Sequence, residues 1–372
     1  MSQSIKFIDS KNSLFFNTLR KRVENYFVSN NISKKANAAM AIKTAVYLVF
    51  FVGFYVLILT EVFSIWVSLL MAVGLGMTMA FIGFNICHDA LHGSYSSKNW
   101  VNKSLGFLFN IIGANDYVWN ITHNQIHHTY TNIVGHDGDL EVAPGMVRVS
   151  PSEEKKSIHK FQHIYAFFLY SLASMSWFFR KDYLKFFQKS IGKHQNKHPK
   201  IQYFNLFFYK FIYYSLFIII PLVVMDITWW QFVIGFLAMN FAEGLVLGLV
   251  FQLAHLVEQT TLPEPEEHEN IEEAWAEHQL RTTANFARKS KVATFLCGGL
   301  NFQVEHHLFP KICHIHYPAI SEIVKETAIQ HDLPYHENET FFLALKSHYN
   351  FLKKAGSAEK IEVPEEQIAV EA

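Results

Sequence analysis

Four apolar runs, each long enough to cross a lipid bilayer, come in two closely spaced pairs. Residues 41–60 and 62–86 are separated by little more than Glu61. Residues 204–225 and 229–254 are divided by the turn Asp226-Ile227-Thr228. About twenty residues rising ~1.5 Å each span ~30 Å, the depth of the hydrocarbon layer. Backbone in lipid must satisfy its own hydrogen bonds, so each run is read as a helix and each pair as a helical hairpin. A soluble chain of 372 residues would fall into two or three domains with its apolar residues dispersed by period; here half the residues are hydrophobic, 35 of them Phe, and they are bunched. The expectation is one membrane-embedded unit, all-α, with the four spans as its bundle.

Formal net charge is zero, which gives no reason to expect a nucleic-acid partner. The distribution of charge is more telling. Lys and Arg are absent from Thr44 to Ser97 and from Phe211 to Leu280, and cluster in the first 43 residues and between Lys155 and Lys210. Both hairpin turns therefore lack positive charge while their flanks carry it, which by the positive-inside rule places both turns outside and both termini in the cytoplasm. Cys87, Cys297 and Cys313 have no metal-like spacing and read as reduced, apolar residues.

Residues 1–40 form a basic amphipathic region. Leu14, Phe15, Leu19, Val23, Tyr26 and Phe27 recur at helical spacing with Arg20, Lys21 and Arg22 between them, as in a helix on a membrane surface or a helix packed on the protein. A fifth apolar stretch, 161–179, has basic residues on both sides. A fifth span would put the later histidines on the opposite face from the earlier ones, so this stretch is expected to lie in the cytoplasmic interface. The unit is expected over 41–354, with 255–350 forming a polar cytoplasmic region and 355–372 an acidic, disordered tail.

The chain has twenty histidines, and their placement matters more than their number. His88 and His92 lie four apart, just beyond the second span. His123 and His127 repeat that spacing, with His128 adjacent. His306 and His307 form a pair shortly after Gln303, and His255 closes the fourth span. Residues three or four apart share a helix face, so each group aims two or more side chains at one point. The four-span topology brings all eight to one rim. Imidazole suits iron, zinc and copper, and its neutral form needs no counter-charge beside lipid. Eight exceed the needs of one four-coordinate zinc; two metals of coordination number five or six fit. Iron suits a nitrogen-rich pair beside an apolar chamber, where O2 is the co-substrate. His136, His159, His163, His194, His198, His268, His278, His331, His336 and His348 are read as surface residues, with His314 and His316 as supporting candidates.

His88-Asp-Ala-Leu-His92, His123-Asn-Gln-Ile-His127-His128 and Gln303-Val-Glu-His306-His307 resemble the three histidine boxes of the membrane fatty acid desaturase family. Gln303 in place of a first His resembles the front-end acyl desaturases, including bacterial linoleoyl-CoA desaturase-like proteins. The resemblance covers roughly residues 40 to 320. It implies a four-helix membrane bundle with a cytoplasmic helical cap holding two irons, with His88, His92, His123, His127, His128, His306 and His307 as ligands. His255 resembles a further ligand at the end of the fourth span, and Gln303 a weak or water-mediated one. Related acyl-CoA desaturases carry a water-holding Asn four residues before that histidine; here the position is Phe251. Asp89 and Glu305, beside ligands, are candidates for orienting imidazoles.

The implied activity is O2-dependent insertion of a cis double bond into an acyl chain on CoA or lipid. A fatty acyl hydroxylase on the same metal pair is the nearest alternative, and a metal transporter a remote one. The chain carries no His-Pro-Gly-Gly haem motif, so a separate electron donor, cytochrome b5 or a ferredoxin, is expected, as is a bacterial inner-membrane location. The basic series Arg180, Lys181, Lys185, Lys189, Lys193, Lys197 and Lys200 suits such a donor, the phosphates of CoA, or anionic lipid.

Overall fold

The computed structural model describes residues 5–358 except 141–142, 192–193, 196 and 265–269. Among the described residues, four helices have the length and composition to cross a membrane: Ala38–Leu59, Ile65–Leu91, Lys200–Val224 and Trp229–His255. They extend the expected runs by a few residues at their polar ends, because capping residues stop the helices where hydropathy does not. Asn37 starts the first span by accepting from the backbone N–H of Met40, and Thr228 and Gln231 form a reciprocal cap at the start of the fourth. The turns of the two hairpins meet, Glu61 accepting from the backbone N–H of Asp226 at 3.0 Å. Both turns therefore lie at one end of the bundle.

The second and fourth spans are the inner pair. About 44% and 33% of their most apolar windows are buried, against 11% and 17% for the first and third. The outer spans show Val49, Phe50, Phe207, Phe211 and Val223 to their surroundings, as a lipid-facing surface requires. The inner pair approach backbone to backbone: a Cβ on Gly76 would stand 1.9 Å from the carbonyl oxygen of Met239. Small residues at such crossings are how membrane helices gain close packing. Gly244 and Gly248 do the same against Ser171 and Tyr170.

Those two residues belong to the fifth apolar stretch, which is broken into Gln162–Ser171, Ala173–Ser176 and a π-turn, Trp177–Lys181, and runs against the fourth span. Its hydroxyl Ser174 bonds Glu243 at 2.5 Å and Asn240 at 2.9 Å, so the one carboxylate deep in the fourth span has a partner.

Helices and loops form a cap at the end opposite the hairpin turns. The helix Phe15–Ser29 buries Phe15, Leu19, Val23 and Phe27 in a cluster with Ile320, Val324 and Ala328 of the helix Tyr317–Gln330. Its apolar face is thus taken up by the protein's own cap. The last helix, Phe341–Ser357, includes the first residues expected in the acidic tail; from 359 that tail lies outside the described residues.

Four histidines expected at the surface are buried: His159, His163, His278 and His348. Tertiary contact, which local polarity does not reveal, covers them. His268, and Lys193 of the basic series, lie outside the described residues. His348 donates from Nδ1 to the carbonyl of Leu256 at 2.7 Å and takes the Tyr170 hydroxyl on Nε2 at 2.9 Å, tying the last helix to the end of the fourth span.

Two outcomes follow from this packing. Gly76→Ala should destabilise the protein by about 1–3 kcal/mol through overpacking, read as a lower thermal midpoint in detergent, while Gly53→Ala, which meets nothing within 4 Å, leaves it unchanged. Burial pushes His348 down to about 4, opposed by its bond to Leu256. The unfolded chain, with a pKa of about 6.5, therefore binds the extra proton first as pH falls. Its contribution is complete above about pH 6.5 and is lost progressively toward pH 4; melting curves of His348→Gln should show a shallower acid slope than wild type.

Candidate metal centre

Two π-turns bring the histidines of the first two boxes inward. The second span leaves α geometry at Gly83–Cys87 and resumes as His88–Leu91. Asn120–His127 is a π-helix throughout, and the backbone N–H of His128 bonds the carbonyl of His123, five residues back, at 3.1 Å. The wider turn stacks residue 128 above residue 123, so that His123, His127 and His128 share one side. The third group sits on the short helix Gln303–Leu308, whose start is held by Asn285 accepting from the backbone N–H of Val304. His255 is the last residue of the fourth span.

All eight imidazoles converge. Ring centroids lie 4.4 Å apart for His88 and His306, 4.8 Å for His92 and His128, 4.7 Å for His127 and His255, and 4.5 Å for His128 and His307. One set, His88, His92, His123 and His306, has donor atoms within 4.8 Å of one another; so does a second, His127, His255 and His307; and His128 groups with His306 and His307 between them. The arrangement suits two ions side by side.

Whether the residues fit metal is decided by their unpaired nitrogens. Nε2 of His92, His123, His127, His306 and His307, Nδ1 of His88, and both nitrogens of His128 and His255 are buried without a partner. An unsatisfied buried nitrogen costs roughly 1–3 kcal/mol, and a cluster of them pointing at shared centres is the donor set that divalent transition metals complete.

The opposite nitrogens are held from behind. Asp137 bonds Nδ1 of His127 at 2.8 Å and is itself fixed by the backbone N–H of Asn132. Asp139 bonds Nδ1 of His123 at 3.2 Å and Nζ of Lys181 at 3.1 Å. Nδ1 of His307 donates to Oε1 of Gln279 at 2.8 Å, an oxygen also taken by the Thr131 hydroxyl, and Nδ1 of His306 meets the Tyr317 hydroxyl at 3.3 Å. Such partners fix the tautomer and leave Nε2 facing inward. Burial, then neighbouring imidazoles, holds His92, His128, His306 and His307 well below the usual range. The rings are therefore neutral at pH 7, as metal binding requires. Burial would also lower His127, but Asp137 more than reverses it.

Asp89 and Glu305 orient none of the eight imidazoles, contrary to expectation. Asp89 turns outward to accept from His314 at 2.9 Å and Cys313 at 3.0 Å, and Lys43 sits on the far nitrogen of His314. Glu305 accepts from Asn285 and Tyr335, and burial pushes it up to about 7. At ~100° per residue, Glu305 lies opposite the arc shared by His306 and His307, and Asp89 lies well to one side of the face shared by His88 and His92. The orienting residues sit instead in the loop after the second box, where the acids Asp137 and Asp139 closely follow Gly135, and on Trp275–Thr282; the paired acids were the available signal. Phe251 packs its ring on His127 and His255 at 5.2 and 4.8 Å.

A cavity of about 420 Å³ opens onto the cluster. Phe84, Phe109, Trp119, Trp177, Leu247 and Leu300 make its walls mostly apolar; His88, His123 and Gln303 lie along it, and Arg180, Lys181, Lys185 and Gln188 line it as well. Gln303 presents a buried, unpartnered Oε1, and Gln252 presents a whole carboxamide without a partner.

Residues 64–339 match the family model described as Fatty acid desaturase. The chain is similar to the sn-1 linoleoyl-lipid 6-desaturase of Arthrospira platensis, 36% identical over 341 residues, covering 91% of this chain and 92% of that protein. It is 34% identical to the protein of the same name from Synechocystis sp., covering 96% of this chain and 99% of that protein. It is also 34% identical to the acyl-lipid (8-3)-desaturase of Physcomitrium patens, covering 96% of this chain and 74% of that one.

Removal of the Asp137 carboxylate tests the support of the cluster. Asp137→Ala should lower metal affinity about 10–100-fold, measured as metal retained per chain against a graded chelator, whereas Glu305→Gln, whose carboxylate touches none of the eight rings, keeps its metal.

Proposed function

Because this chain belongs to the fatty acid desaturase family, and is therefore an oxidoreductase acting on fatty acyl chains, we propose that it inserts a cis double bond into a lipid-linked acyl chain at a pair of iron ions. The observation that carries this reading is the convergence of eight imidazoles, seven buried and His92 half-buried, their inward nitrogens unpartnered, on the side of an apolar cavity. The relatives named as linoleoyl-lipid desaturases favour a chain that already carries double bonds and is esterified to lipid.

His88, His92, His123 and His306 would hold one ion and His127, His255 and His307 the other, with His128 between them. Gln303 completes the set weakly or through water. Bound iron supplies the one-electron chemistry by which O2 becomes strong enough to break unactivated C–H bonds. The protein's residues bind, orient and exclude. The aromatic walls fix the chain so that two adjacent methylenes face the cluster, and the apolar lining keeps water from the reacting carbons. Asp137, Asp139 and Gln279 hold the rings in place throughout.

Desaturation takes two protons and two electrons from the chain; full reduction of O2 to two waters takes four of each, the other two protons coming from solvent, and leaves two electrons to be supplied. Those two electrons come from a separate redox protein such as cytochrome b5 or a ferredoxin. The absence of Lys and Arg from both hairpin turns, with positive flanks at the other end, supports an orientation with the cluster and both termini toward the cytoplasm. The assembly is proposed for a bacterial inner membrane.

Expression in a host of defined fatty acid composition, beside a His307→Ala control, tests the reading. Derivatised fatty acids analysed by gas chromatography–mass spectrometry should show a new double bond in wild type and none in the control. A new hydroxyl group in place of the double bond would overturn desaturation, and a purified protein that takes up no iron would overturn the metal assignment.

A further inference from the structure

The cavity that leads to the histidines has a mixed lining. Aromatic and aliphatic side chains line most of it, while Arg180, Lys181 and Lys185 bring positive charge to one part. That mixture of linings suits an amphiphile with an anionic head. Lys181 is placed unusually for a cation beside a binding cavity. Its ammonium bonds one oxygen of Asp139, and the other oxygen bonds Nδ1 of His123. Each link is just over 3 Å and the carboxylate's C–O bonds are ~1.2 Å, so the ammonium stands no more than about 9 Å from a ring in the metal set.

We propose that Arg180 and Lys181 seat the phosphodiester of a glycerophospholipid, and that this seat sets which carbons of its acyl chain reach the histidines. The proposal rests on the desaturase reading and gives it a substrate class and a measuring device. That short interval leaves room for only the first part of the acyl chain between head and cluster. The reacting carbons then lie near the carboxyl end, counted from the head. Lys181 has room for a second acceptor, since an ammonium carries three donors and Asp139 takes one. It can grip a headgroup oxygen while keeping Asp139, and through it His123, in place. Lys181 is a positioning residue in this scheme, and Arg180, which is exposed and touches neither Asp139 nor a metal-set ring by any hydrogen bond, contributes to the headgroup alone.

The two contributions separate by experiment. Purified wild type, Arg180→Gln, Lys181→Met and Lys181→Arg, each with its metal content measured, would be reconstituted with electron donor. Substrates would be linoleoyl-phosphatidylglycerol or a neutral glycosyl diacylglycerol bearing the same chain. Wild type should favour the phospholipid, and Arg180→Gln should raise KM for it about fivefold while leaving the neutral lipid and kcat alone, as the loss of one exposed ionic contact predicts. Lys181→Met should spread the double bond over more than one position, and Lys181→Arg should restore a single one. A lost fold or lost metal would change rate for both lipids equally and would not move the double bond. Equal use of the two lipids by wild type, or an unchanged single position in metal-replete Lys181→Met, overturns the proposal. A wild type that makes no double bond in either lipid instead overturns the desaturase reading.

Discussion

The backbone contact between Gly76 and Met239 sets the geometry on which the rest depends. Two helices that touch at their backbones cannot slide or rotate past one another, because every neighbouring side chain is already interlocked. From that crossing the second helix runs to His88 and His92, and the fourth runs to His255. Their ends therefore reach the same level of the molecule. The outer spans add lipid-facing surface but carry none of the eight histidines, so the precision of the cluster comes from the inner pair and from the cap above it.

Neutral imidazoles are the one donor type that such a location admits in number. Eight carboxylates packed at these distances would repel each other by many kcal/mol at low dielectric. Eight histidines cost only their unmet nitrogens, and each can turn a second nitrogen outward. The fold uses that second nitrogen: charged acceptors stand behind His123 and His127, and neutral ones behind His306 and His307. The set is thus graded in basicity across its width, with the more electron-rich rings lying toward the side that carries Lys181.

The spans, their pairing and the three histidine groups were legible because each depends on local order along the chain: apolar run length, turn residues and a spacing of four. His255 was legible because a helix end is a fixed place. What sits behind the rings was not. Asp137 reaches His127 only because the loop reverses through Asn132 and Gly135, both at positive φ, and no periodicity announces that. Gln279 comes from a helix 28 residues before His307 and meets it by tertiary packing. The same blindness put His278 and His348 at the surface, since polar neighbours in sequence say nothing of the helix that later covers them. Asp89 and Glu305 were misread for the opposite reason: adjacency in sequence was taken for adjacency in space, whereas at ~100° per residue a neighbour joins the site only if it falls on the same arc.

The π-helix at Asn120–His127 also determines what kinds of change this site can absorb over generations. A π-turn is an α-turn with one residue more, and each α-helical residue advances ~100° around the axis. Exchanging one side chain for another within the segment leaves that winding alone. Losing a single codon between His123 and His127 would instead use up that extra residue: the turn relaxes to α geometry with its flanks still in register, and His123 and His128, now five apart, stack as i and i+4. The segment thus carries one residue of slack in its length, and its ancestry should be traced through gaps as well as identities.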